Sequence, residues 1–489
     1  MRGSQLILDI FQVDTLERSA SEVLRLIRFW KNTLAPINKI PREILALIPD
    51  FLDTRDRDNG VIALTHVCRA WREVFVSRSS LWANLDCLDE EKTRVYFKRS
   101  KSSPINLSLD LLASDGILPC DPFFQIIPHA TGRLKSLFVK GLTEDVEVVI
   151  SHLSHPAPLL ECLSIGSEPS LALRYPVLPT ALFDGDLSSL RVLHLAYVHT
   201  KLPWRNMANL TSFTLSYTPK EIPVGQLLDF FESAPHLEAI ELYFAIPTTG
   251  AQNGRVVSLE CLKRMDIKDD DPPSVLLDHL LIPIGAKLEI GTRSLSSLIG
   301  EHLPRSLDNL KNFSNFTAIR LHRTDMEFSG PNGQVKITLW TDSDDSTELT
   351  LGSLAELDTS KTERLEIEDG DLRSKEPLYQ ALLPMKDLRT ITLSGCMSPD
   401  ILIRALQPST NPSEVMVCPK LEELVLVPHS FYFGLEPSEM MSIIEMAAAR
   451  ASRGGKLKTV RIFCRHGTAD PDVSELRKHV WNVECGHMD

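Results

Sequence analysis

No run of apolar residues in this sequence approaches the roughly 20 that a membrane-spanning helix needs. The opening stretch, MRGSQLILDIFQVD, lacks the long apolar centre of a secretory signal, and Asp9 interrupts what there is. Basic charge is also short: 52 Lys and Arg stand against 65 Asp and Glu, a net charge of −13. That field opposes phosphate backbone, which excludes nucleic acid as an expected partner. The nine cysteines are scattered without a C-x-x-C pair, a spacing that suits neither a disulfide framework nor a zinc module. A cytoplasmic or nuclear location, with no membrane partner and no disulfide, is the expectation.

The signatures of chemistry are missing as well. G-x-x-x-x-G-K-[ST], H-E-x-x-H, G-x-S-x-G and G-x-G-x-x-G do not occur. RGGKLKT is no phosphate loop, because Arg450 stands where the leading glycine belongs. The nearest approaches to metal ligands are Cys464 with His466, and Cys485 with His487; terminal packing suits Cys464 better. His152 and His155 read as the end of a helix meeting a Pro-containing turn. No carboxylate is set beside a base. Neither a catalytic residue, a metal nor a cofactor is expected, and the chain is expected not to be an enzyme.

What is present begins with a dense apolar stretch, Ile37 to Leu85. Pro41 occupies the position of a first helical residue. Ile44, Leu45, Ile48, Phe51 and Leu52 then recur at helical spacing and predict one buried face. Leu64, Val67, Cys68, Trp71, Val74 and Phe75 repeat it, and Leu81 and Trp82 close the segment. So short a segment cannot hide this surface by itself. Just upstream, residues 14–35 place Leu16, Val23, Leu24, Ile27, Trp30 and Leu34 on an amphipathic helix. It is expected to pack on its neighbour, with a small dimerising coil as the alternative.

IPREIL, VCRAWR and LW, in that order, resemble an F-box, the helical module that docks onto a Skp-type adaptor. Ile40 stands where Leu is commoner, and the polar insert from Asp53 to Gly60 lengthens the helix connection. The helix at 14–35 running into LAPINKIPREIL is similar to the leader of many fungal F-box proteins. The resemblance implies adaptor contacts from Ile40, Pro41, Ile44, Leu45, Ile48, Leu64, Val67, Cys68, Trp71, Leu81 and Trp82. It also implies a non-catalytic substrate-recognition subunit of a Skp–cullin–F-box ubiquitin ligase. The alternative is a leucine-rich scaffold whose F-box-like helices only cap its N-terminal end.

From about residue 104 a second pattern takes over, L-x-x-L-x-L. Its copies start at 134, 160, 190, 210, 237 and 262, which differ by 26, 30, 20, 27 and 25. Further copies start at Phe316, Leu388, Leu421 and Leu457, with Leu365/Ile367 a partial one and Leu288/Ile290 a degenerate one. These spacings lie near those of leucine-rich repeats, one strand and one return segment per unit. The expected fold is therefore α/β: an N-terminal helical F-box at 37–85, then a curved solenoid at 104–466 with a parallel β-sheet on its concave face, then a C-terminal cap at 467–489 built on Leu476, Val480 and Trp481. Polar segments at 269–274, 329–334, 341–347 and 406–415 read as loops.

Alternation along a strand fixes sidedness. Leu193, Leu195, Ile391 and Leu393 should be buried, with His194 and Thr392 facing out. The outward positions are mild at first, then become charged: Tyr243, Arg264, Asp266, Lys268, Arg320, His322, Arg364, Glu366 and Glu368. This strip is the expected surface for a protein substrate, with charges paired across strands as the plainer alternative.

Overall fold

The computed structural model describes the chain apart from residues 1–9, 53–56, 88, 113–120, 169–173, 201–206, 221, 248–253, 293–298, 340–345, 370–371, 397, 410–414, 429–434, 466–471 and 489. It divides into two compact units, Met1–Leu137 and Phe138–Asp489.

The first unit opens with a long helix, α1 (Ile10–Leu34). Short helices come next: α2 (Arg42–Leu45), α3 (Arg57–His66) and α4 (Arg69–Ser77). The single apolar face expected across Ile44 to Leu52 does not form as one helix. Proline at 49 would lose a helical hydrogen bond and clash with the carbonyl four residues back. The chain instead stops α2 at Leu45 and makes a 3-10 turn over Ile48–Phe51. Leu45 points inward while Ile44 and Phe51 point out. The second run is likewise split, with Cys68 extended between α3 and α4. Arg72 turns back to donate to the Thr65 carbonyl at 2.9 Å, occupying an acceptor near the end of α3.

Two tryptophans organise this core. Trp71 packs edge-on against Phe75, and its indole N–H donates to Asn38 Oδ1 at 2.7 Å. Trp82 is fully buried against Tyr96, donates to the Phe75 carbonyl at 3.0 Å, and carries the Arg99 guanidinium over its ring. Arg78 ties the two halves together by donating to the Ala46 carbonyl and pairing with Asp50 at 3.2 Å. Strands β1 (Asn84–Asp86) and β2 (Ile105–Asp110) then pair in parallel.

A strand β3 (Leu134–Leu142) leads into the second unit. There the strands are β4 (Cys162–Glu168), β5 (Val192–Ala196), β6 (Ser212–Ser216), β7 (Ala239–Tyr243), β8 (Arg264–Asp269) and β9 (Lys287–Thr292), each parallel to the next. Their register aligns Leu163, Leu193, Phe213, Ile240, Met265 and Leu288 in one buried row and Ile165, Leu195, Leu215, Leu242, Ile267 and Ile290 in another. Each such side chain contributes about 1.5–3 kcal/mol by leaving water. The leading leucine of each copy makes the turn before its strand: Leu210 and Leu262 donate N–H three residues back, to Met207 and Leu259, at 3.0 Å. Return segments such as Val224–Ser233 and Asp400–Leu406 are helical, as their spacing suggests.

The parallel order expected throughout breaks once. Strands β10 (Ala318–His322), β11 (Asp325–Gly330) and β12 (Gly333–Leu339) form an antiparallel meander. It enters the sheet reversed: β12 lies beside β9, and β10 lies beside β13 (Arg364–Glu368). The polar segment at 329–334 is its hairpin turn. A Cβ at Gly330 would sit 2.8 Å from the Asn315 carbonyl oxygen, so the close crossing there requires glycine. Parallel order then resumes through β14 (Thr390–Cys396), β15 (Glu423–Pro428), β16 (Thr459–Arg465) and β17 (Asn482–Met488). The last strand corrects the expectation that strands end near residue 466: Leu476 and Val480 are buried as expected, but Trp481 is exposed and leads into β17. Cys464 lies inside β16 and is buried there.

Past β5, β6 and β7 stand Tyr197, Tyr217 and Phe244, each in the left-handed backbone region. Their N–H groups donate to the carbonyls of Ser216, Tyr243 and Lys268, extending the ladder by one residue. The rings stack at 4.6 and 4.9 Å, the spacing of the strands themselves.

Candidate interaction surfaces

Among the residues the F-box resemblance assigns to an adaptor, the structure separates three groups. Leu45, Trp71, Leu81 and Trp82 are buried inside the first unit. Ile40, Ile48, Leu64 and Cys68 are half-buried. Pro41, Ile44 and Val67 are exposed, and so is Phe51, at 86%. Ile37 and Leu47 are also open to solvent. The buried group fixes the shape of the module, and the exposed group is apolar surface it leaves unused. Single exposed apolar residues are ordinary, whereas here five lie within one short module: Ile37, Ile44, Leu47, Phe51 and Val67.

On the second unit, the outward face of the sheet carries every residue of the charged strip, with alternation as expected: Leu193, Leu195, Ile391 and Leu393 are buried, His194 is exposed and Thr392 is half-buried. The strip falls into clusters. Asp266 is only 1% exposed. It lies under Tyr243, Arg264 and Lys268, accepting from the Tyr243 hydroxyl at 2.9 Å, Arg264 at 3.3 Å and Lys268 at 3.1 Å. Lys268 also sits over the Tyr243 ring. Burial, then the hydrogen bond to Asp266, pushes the Tyr243 hydroxyl well above its ordinary pKa, so it stays a donor. Asp266 is thus an anchor for three neighbours, not a contact residue.

Arg320 makes the second cluster. Its guanidinium donates to both carboxylate oxygens of Glu368, at 2.6 and 3.0 Å, and stands 3.6 Å from Glu366. The hydrogen bond from Arg320 holds Glu368 below its usual range, whereas burial raises Glu366 despite the same cation. His322 is 3.7 Å from Asp369. Arg364 is exposed at the start of β13, with no ion pair to any described residue.

Further charges complete the face. Register places Asp266, Glu289, Lys336, Glu327, Arg320 and Glu366 side by side across six strands. Lys336 pairs with Asp325 at 2.8 Å, and Arg461 bridges Glu423 and Glu484 at 3.0 and 2.8 Å. The meander residues escape a search for the leucine motif, because β11 and β12 lack it. The alternation of Met326 with Phe328, and of Val335, Ile337 and Leu339, is the signal that marks them.

Among the described residues no three His, Cys, Asp or Glu side chains gather to hold a metal. His466 lies outside them. No described helix is long and apolar enough to cross a membrane. RGGKLKT is a helix end: Gly454, with φ +84°, and Gly455 come directly after Pro437–Ser452 and Arg453.

No curated protein matches the chain. Residues 37–88 match the F-box-like family, three residues beyond the boundary read from the sequence, and the chain therefore carries an F-box-like domain whose exposed apolar residues include Ile44, Phe51 and Val67.

Proposed function

We propose that this chain is the substrate-recognition subunit of a Skp–cullin–F-box ubiquitin ligase, working in the cytoplasm or nucleus. The F-box-like domain docks onto a Skp-type adaptor and, through it, a cullin. The second unit is a leucine-rich-repeat solenoid that holds a protein substrate on its outward sheet face. The chain performs no bond chemistry; it supplies proximity and orientation to an enzyme carried by other subunits. The observation that carries this reading is the family match at 37–88, on a module that leaves Ile44, Phe51 and Val67 uncovered. The row of buried leucines with one strand and one return segment per repeat supports the solenoid.

The geometry ranks the arginines of the strip. Arg264 and Arg320 are engaged with carboxylates of their own sheet, whereas Arg364 stands apart. Arg364→Ser is expected to leave stability within about 0.5 kcal/mol, as is usual for a surface change. It should remove proteins that co-purify through the second unit, and more completely than Arg264→Ser. Affinity purification with quantitative mass spectrometry reads the difference. Unchanged recovery with Arg264, Arg320 and Arg364 all replaced by Ser would move the recognition site off this face.

A further inference from the structure

The helix expected to pack on its neighbour does not: every residue from Phe11 to Leu34 is exposed. Val13, Leu16, Ala20, Val23, Ile27, Trp30 and Leu34 recur at alternating spacings of three and four, which is the seam of a coiled coil. A groove of about 720 Å³ separates α1 from the start of α4. It is lined on the α1 side by Ser21, Leu24, Arg25, Arg28, Phe29 and Asn32, among others, and by none of the seam residues. The seam therefore faces away from the module.

We propose that a second copy of this chain covers that seam, the two α1 helices pairing antiparallel. The sequence is complementary to itself in one arrangement. With the helices antiparallel and centred on Arg25, Leu16 meets Leu34 of the other copy, Ala20 meets Trp30, and Val23 meets Ile27. The smallest seam residue thus lies opposite the largest, which fills each layer evenly. In the same register Glu17 stands beside Lys31 of the other copy, twice by symmetry. A parallel pair would set Trp30 on Trp30 and Ala20 on Ala20, and would place Glu17 beside Gln12 with no ionic match. The contact is isologous and closes on itself as a two-fold dimer. It does not depend on what the F-box-like domain binds.

Sedimentation equilibrium of the full-length chain tests this. A dimer is expected within the range of about 1 to 100 µM, since three heptads of seam support micromolar association. Val23→Glu with Ile27→Glu should give a monomer with an unchanged thermal melt, because α1 buries nothing in the core of its unit. Glu17→Lys should weaken the dimer about tenfold, and adding Lys31→Glu should restore it to within about twofold. A wild-type chain monomeric at about 100 µM, or a dimer untouched by the seam variant, overturns the proposal. A Glu17→Lys loss that Lys31→Glu does not restore overturns the antiparallel arrangement.

Discussion

Arg450→Met is expected to lower the stability of the second unit by about 3 to 5 kcal/mol, seen as a fall in Tm of about 5 to 10 °C. Arg450 is fully buried in the helix Pro437–Ser452 and faces no carboxylate among the described residues. Its guanidinium donates instead to three backbone carbonyls, those of Leu406 at 3.3 Å, Val417 at 3.0 Å and Cys418 at 2.7 Å. These belong to the segment between β14 and β15, where Cys418 takes a left-handed backbone conformation. A buried carbonyl left without a donor costs about 1 to 3 kcal/mol, and methionine fills the volume without supplying one. Burial lowers the Arg450 pKa, yet guanidinium remains charged at neutral pH. Arg450→Lys keeps that charge but not the planar fork, so an intermediate loss is expected. Differential scanning calorimetry on the full chain separates the cases. A methionine variant as stable as the wild type would mean that the three carbonyls find other donors.

Trp71→Ala is expected to cost the first unit about 3 to 5 kcal/mol, the usual range for a buried tryptophan. The ring is 7% exposed, packs on Phe75, and satisfies Asn38 through its N–H. Loss of adaptor binding in this variant would follow from loss of the module's shape, and Leu45→Asp would act the same way by placing a charge in the core. Chemical denaturation monitored by tryptophan fluorescence reports the cost. If Trp71→Ala unfolded with the wild-type midpoint, Trp71 would be a surface contact after all.

The leucine rows are legible in the sequence because a strand has a side-chain period of two, and leucine at alternate positions can only face the core. The reversed meander is not, since strand order depends on which edges meet, and nothing local in β10 to β12 encodes that β12 docks on β9. Helical spacing from Ile44 to Leu52 suggests one face only when apolar recurrence is weighed above Pro49, whose missing N–H decides the turn. Arg450 cannot be singled out in an alanine-rich helix: its partners are carbonyls more than thirty residues away. Periodicity in α1 shows a seam but not that the rest of the chain leaves it bare. Charge on the outward face is readable strand by strand, while the burial of Asp266 beneath Tyr243 requires the register of neighbouring strands.

Docking of residues 37–88 onto a Skp-type adaptor, through the apolar surface they leave exposed, is tested most directly by adaptor co-purification with Ile44→Asp, Phe51→Asp and Val67→Asp combined, because none of these side chains supports the core. Stoichiometric adaptor with the wild type, and a loss of at least about thirtyfold with the triple variant at unchanged Tm, is the predicted result. A folded wild-type chain that captures no adaptor, or a triple variant that captures it as well as the wild type, would contradict such docking.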